Sequence, residues 1–109
     1  MSKAKQKGTA AETAFVNWIR QQSPDFADVE RRATNGIKDR GDIAGIARTV
    51  IEIKSGTKLC IPEWLKELDQ EIINADALVG YLVIKPKGIG ASNVQDWWII
   101  QRVGDVFGK

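Results

Sequence analysis

Apolar positions along the chain fall into a few periodic runs. Ala11, Ala14, Phe15, Trp18 and Ile19 recur at the spacing of one helix face, which predicts a helix over residues 10–22. Thr9 followed by Glu12 has the S/T-x-x-E form of a capping box at its start, and Ser23-Pro24-Asp25 ends it. Residues 27–34 set Val29, Arg31 and Ala33 against Glu30, Arg32 and Thr34, the pattern of a charged strand near a sheet edge. A polar loop carrying Asn35-Gly36 and Asp39-Arg40-Gly41 follows. Residues 42–46 and 49–54 are two short strand-like runs separated by a tight turn, which predicts a hairpin.

Beyond a loop at Ser55-Gly56-Thr57-Lys58, Pro62 suits the first turn of a second helix. Leu65, Leu68, Ile72 and Ala75 form its apolar stripe, with Trp64 beside it; Lys66, Glu67, Asp69, Gln70 and Asn74 lie off the stripe. Residues 77–84 are apolar on both faces, as a central, covered strand requires. A basic loop, Lys85-Pro86-Lys87-Gly88-Ile89-Gly90, leads to a final strand over residues 96–103. Within it Trp97 and Trp98 face opposite sides, so one belongs to the core and one to the surface. The order α-β-β-β-α-β-β describes an α/β domain with one mixed central sheet flanked by helices.

Composition narrows the chemistry. The chain has 109 residues, enough for one domain, expected over residues 9–109 behind a flexible basic arm at 1–8. It contains no histidine and one cysteine, Cys60. Ser-His and Cys-His nucleophile pairs, imidazole bases, multi-thiolate metal sites and internal disulfides are therefore excluded. The lone cysteine and the absence of an apolar run long enough for a membrane span or signal peptide give an expected intracellular location and no membrane partner. The net charge of +2 is uneven: residues 1–40 hold eight Lys and Arg against five acids. That excess suits a phosphate backbone. Candidate backbone contacts are Lys5 and Lys7 in the arm, Arg31, Arg32, Lys38 and Arg40 before the hairpin, Lys58 after it, and Lys85 and Lys87 in the glycine loop. The K-P-K-G-I-G loop lacks the Gly-Lys-Ser/Thr end of a P-loop.

The remaining chemistry must come from carboxylates, lysines, hydroxyls, backbone or a bound ion. In the strand over residues 49–54, Val50, Glu52 and Lys54 share one face and Thr49, Ile51 and Ile53 the other. A hairpin turning near residues 45–48 brings Asp42 opposite the end of that strand. Two converging carboxylates repel unless they share a proton or bind a cation. Oxygen ligands suit Mg²⁺, with Mn²⁺ substituting, and the Ile53 carbonyl is an added ligand candidate. With Lys54 beside them, the parts suffice for metal-assisted phosphodiester hydrolysis without histidine. Read alone, E-x-K also describes a surface ion pair.

These residues carry a resemblance. G-D-I-A-G-I…T-V-I-E-I-K-S resembles the D-(x)n-E-x-K signature of the PD-(D/E)XK nuclease superfamily, and the element order is similar to that superfamily's common core over nearly the whole chain. K-G-T-A-A-E, residues 7–12, is similar to the K-G-x-x-x-E start of archaeal-type Holliday junction resolvases, which also occur in phages. The resemblance implies a restriction-endonuclease-like domain acting as a Mg²⁺-dependent, homodimeric endonuclease on branched DNA in recombination and repair. Asp42 and Glu52 match its metal carboxylates, Lys54 its catalytic lysine, and Glu12 the first-helix glutamate that joins the metal site. Gly41 stands where the superfamily has proline. The serine that often precedes its aspartate has no counterpart; the nearest hydroxyl, Thr34, takes no role. A nicking, flap or restriction-type nuclease and a non-catalytic nucleic-acid-binding domain are the alternatives.

Overall fold

The architecture is that of a computed structural model, described here for residues 3–32 and 38–108. Its elements are helix α1 (Lys3–Arg20), strands β1 (Glu30–Arg31), β2 (Ile43–Ala44) and β3 (Thr49–Ser55), helix α2 (Ile61–Asn74), strands β4 (Val79–Lys85) and β5 (Trp98–Ile100), and helix α3 (Val103–Phe107). Short 3₁₀ turns occupy Pro24–Phe26 and Ala91–Asp96. The strands form one mixed sheet in the order β1-β2-β3-β4-β5. Its pairs are antiparallel except β3 with β4, which run parallel because α2 carries the chain across between them.

The order departs from the expected α-β-β-β-α-β-β by α3 and the two 3₁₀ turns. Helix α1 begins at Lys3 rather than Ala10. Lys3, Ala4, Lys5, Gln6 and Lys7 are good helix formers, so the helix takes in most of the expected arm. Thr9 is therefore interior and the Thr9–Glu12 capping box does not form. Ser23 caps the following turn instead, its hydroxyl accepting from the Asp25 amide at 3.1 Å. The strand expected over residues 27–34 is reduced to Glu30–Arg31; Ala33, Thr34, Asn35 and Gly36 lie outside the described residues. The strand expected over 42–46 pairs only at Ile43–Ala44, since Gly45 at φ +104° turns the chain away. That expected over 96–103 shortens to Trp98–Ile100 between a 3₁₀ turn and α3.

Strand alternation splits the interior into two cores. On one face of the sheet, Ala11, Phe15, Val16 and Ile19 of α1 pack with Ile43, Ile51, Ile53, Val83, Val94 and Trp97. On the other, Leu68 of α2, with Trp64, Leu65, Ile72 and Ala75 around it, covers Val50, Leu82 and Ile84. Full burial of a side chain such as Leu68 contributes roughly 1.5–3 kcal/mol. Strand β4 is the covered central strand expected, and Trp97 is buried while Trp98 is exposed. Among the described residues no helix is long and apolar enough to cross a membrane.

Candidate functional site

The β2–β3 hairpin and the α2 cover decide which polar groups meet. Asp42 lies one residue before β2, and its amide donates to the Ile51 carbonyl at 2.9 Å. Its Oδ2 accepts from the Ile53 amide at 2.7 Å. That bond fixes the carboxylate across the hairpin from the stretch holding Glu52 and Lys54. Burial, then the charge of Glu52, pushes Asp42 from 3.8 up to about 7; the Ile53 hydrogen bond opposes the rise and Glu12 adds to it. Asp42 thus has both Glu52 and Glu12 as electrostatic neighbours.

Glu52 sits on the β3 face that α2 covers, and only 6% of it is exposed. Its Oε2 lies 3.3 Å from Lys54 Nζ, while its Oε1 is buried with no hydrogen-bond partner among the described residues. Burial raises its pKa; Lys54 and a shared hydrogen bond with Glu71 hold it back. Lys54 also bonds Glu67 Oε2 at 3.0 Å and stands 5.8 Å from the centroid of the Trp64 ring. Burial alone would lower Lys54, but Glu67 and Glu52 outweigh it and leave the ammonium above its ordinary value. The face carrying Glu52 and Lys54 is therefore not an open, solvated sheet surface.

Glu12 contributes from α1. Its Oε1 is 3.1 Å from Arg31 Nε, so an ion pair with β1 replaces the cap. Arg32 donates its amide to the Asp42 carbonyl at 2.8 Å, and its Nε is buried without a partner among the described residues. Ile53 buries its side chain in the α1-side core beside this group. Among the expected phosphate contacts, Lys38, Arg40, Lys58 and Lys87 are exposed and Lys85 is half-buried. Lys85 and Lys87 share a shallow cavity of about 300 Å³ with Ser55, Gly56 and Thr57. It lies at the shared C-terminal end of β3 and β4, where Ser55 pairs with Lys85. The side chains of Lys5 and Lys7 lie outside the described residues.

Two acids join the group that the sequence reading did not single out. Glu71 of α2 is 2% exposed, and its Oε1 also lacks a partner among the described residues. Asp39, Glu52 and Glu71 each offer a carboxylate oxygen, all within 4.8 Å of one another. Burial, then Glu52 and Asp39, drives Glu71 far above the usual carboxylate range. The signal for Glu71 is helical spacing: it follows Leu68 by three residues and precedes Ala75 by four, which places an acid inside the apolar stripe. Asp39 sits in an aperiodic loop and has no such signal.

Every donor in the group is oxygen, the ligand type that a hard divalent cation takes. Comparison with family models, with curated proteins and with solved structures finds no match for this chain.

Proposed function

We propose that the protein is a Mg²⁺-dependent endodeoxyribonuclease of PD-(D/E)XK type that hydrolyses phosphodiester bonds at four-way DNA junctions. The observation that carries the reading is the Asp42–Glu52–Lys54 arrangement. Asp42 is driven up to about 7 by burial and Glu52, and Lys54 stands 3.3 Å from Glu52. Buried carboxylates this close share a proton or take up a cation, and strongly shifted acids beside a lysine mark a candidate functional site. The element run α1–β1–β2–β3–α2–β4 is the one expected of a restriction-endonuclease-like core, although the sheet order β1-β2-β3-β4-β5 differs from that fold's.

Asp42, Glu52 and the Ile53 carbonyl would hold the ion, with Glu12 beside them. When bound, the ion supplies Lewis acidity toward a phosphate oxygen and lowers the pKa of water. Lys54 keeps its proton and so offers a fixed positive charge to the phosphate as negative charge develops during hydrolysis. Glu67, at 3.0 Å, and the Trp64 ring hold that ammonium in place. Glu12 leaves its Arg31 partner if it joins the ion, which frees Arg31 for a phosphate. The exposed Lys38, Arg40, Lys58 and Lys87 would track the DNA backbone by charge and shape rather than by sequence. A second copy of the chain would supply the second incision.

The test is incubation with a synthetic four-way junction, with and without Mg²⁺, beside Asp42→Asn and Glu52→Gln. Mg²⁺-dependent cutting is expected from the wild type. Both variants should lose at least about 100-fold in rate while retaining junction binding. Wild-type cutting by either variant would sink the reading. Cleavage of a flap or a linear duplex in preference to the junction would move the protein to another nuclease of the same superfamily. Binding without any metal-dependent cleavage would leave a nucleic-acid-binding domain.

A further inference from the structure

The segment after Lys54 and the basic loop after β4 hold none of the acids, yet the topology brings them together. Strands β3 and β4 run parallel, so both release the chain at the same end of the sheet. In open α/β sheets, ligands settle in the crevice outside the carboxyl ends of such strands. Here Ser55, Gly56 and Thr57 form one wall of a shallow cavity of about 300 Å³, and the loop from Lys85 to Gly88 forms another. Ala10 and Ala11 of α1 line it too, with side chains of methyl size that leave it unfilled.

The polar side chains of this cavity can all donate. Lys85 and Lys87 bring ammonium groups, Ser55 and Thr57 bring hydroxyls, and among the described residues no acid lines it. Neither lysine makes an ion pair among the described residues, although Lys85 is half-buried. A partly buried ammonium without a counter-charge favours an anion from solution. The backbone is bare at two points, since a Cβ on Gly56 or on Gly88 would have nothing within 4 Å. Gly88, at φ +90°, completes a turn in which the Ile89 amide donates to the Pro86 carbonyl at 3.2 Å, with Lys87 at its corner. An anion that accepts from two ammoniums and two hydroxyls on separate walls needs several oxygens spread in three dimensions. A phosphate has that form, whereas a carboxylate offers two oxygens in one plane.

The cavity adjoins the proposed reaction centre twice along the chain: Ala11 precedes Glu12, and Ser55 follows Lys54. Ser55 shares its side of β3 with Ile53, two residues or roughly 6.6 Å away. We infer that this cavity is a pocket for one phosphate of a nucleic-acid strand, the neighbour of the phosphate at the reaction centre. Which phosphate it holds rests on the proposed function; that it holds one does not. Lys85 and Lys87 supply the charge, and Ser55 and Thr57 the hydrogen bonds that fix the strand's position relative to Asp42 and Glu52.

Amide NMR spectra of the full chain in chelator, titrated in turn with a thymidine dinucleotide, thymidine and inorganic phosphate, test this. The dinucleotide carries a single phosphodiester. It should shift the Gly56, Thr57 and Gly88 amides saturably, and thymidine should leave them unmoved. Lys85→Met and Lys87→Met should each weaken that response about tenfold or more. Lys66→Met, an equal loss of charge on the exposed side of α2, should leave it unchanged. Lys87 is exposed, so its variant carries the test if Lys85→Met does not fold. Shifts with inorganic phosphate but not with the dinucleotide would overturn the assignment to a strand. No shift with either, or equal shifts with thymidine, would overturn the pocket. No metal is present and no cut is read, so the two readings fail separately. A chain that binds the dinucleotide here and cuts no junction loses the proposed function and keeps the pocket; one that cuts junctions without these shifts loses the pocket alone.

Discussion

Asp42 ties stability to protons. Burial first, and Glu52 second, move its pKa from 3.8 to about 7 in the folded chain. Between those values the folded state holds a proton that the unfolded state has released, so stability falls as pH rises through that window. Glu71 and Glu52 are raised too, which carries the decline in the same direction. In chelator, the melting temperature should drop by about 5–10 °C from pH 5 to pH 8. On the proposed site, Mg²⁺ or Mn²⁺ would bind the ionised carboxylates and should restore more of it at pH 8 than at pH 5. A chelated melting curve that is flat or rising with pH would rule out this coupling. Asp42, Glu52 and Lys54 were legible in the sequence because strand alternation and one tight turn fix their relation. Glu71 carried only the weaker signal of an acid set inside the α2 apolar stripe, because its polar neighbours come from β3 and a loop more than a dozen residues away.

The hairpin and its turn set the geometry that those residues use. Gly45 has φ +104°, and a Cβ there would lie 2.5 Å from the Asp28 carbonyl oxygen and 2.8 Å from Val29 Cα. Both neighbours are backbone, so neither can swing aside. Gly56, at the other end of β3, has φ +130° with nothing within 4 Å of such a Cβ. Gly45→Ala should therefore cost about 3 kcal/mol or more in urea unfolding, against about 1 kcal/mol for Gly56→Ala, which meets backbone strain alone. Equal losses would show that the turn does not press on residues 28–29. The elements were read well where a tertiary partner reinforces the local signal, as in α2 and β4, whose apolar positions are the ones that pack. They were misread where two local signals compete. The Thr9–Glu12 pattern suggests a start that Lys3–Lys7 overrides, and the run over residues 96–103 breaks at both ends because only Trp98–Ile100 finds a neighbour in β4. The surface ion pair that E-x-K alone also describes is not what forms, because α2 covers that face of β3.

At the scale of the whole molecule, charge and apolar surface point to different partners. The exposed Lys38, Arg40, Lys58 and Lys87 predict junction binding that weakens steeply with salt, since each phosphate contact releases a counterion; affinity independent of salt would contradict the DNA reading. The opposite signal lies at the β5 end. Strand β5 pairs with β4 and ends the sheet, and it exposes Trp98 and Ile99; α3 then presents Val103, Val106 and Phe107, the last 83% exposed. Five large apolar side chains gathered within ten residues of sequence are more than a monomer's scattered surface carries, and a free sheet edge beside them is a pairing surface. Paired incision on the proposed junction requires two sites, and this edge is where a second copy would bury most. Light scattering should therefore give twice the chain mass for the wild type. Phe107→Asp with Ile99→Lys should shift it toward the single-chain mass without lowering the melting temperature measured at low concentration, because neither side chain is part of either core. On a junction, the weakened dimer should leave singly nicked product where the wild type gives paired cuts. A wild-type chain that stays monomeric while cutting both strands would separate the apolar edge from the reaction.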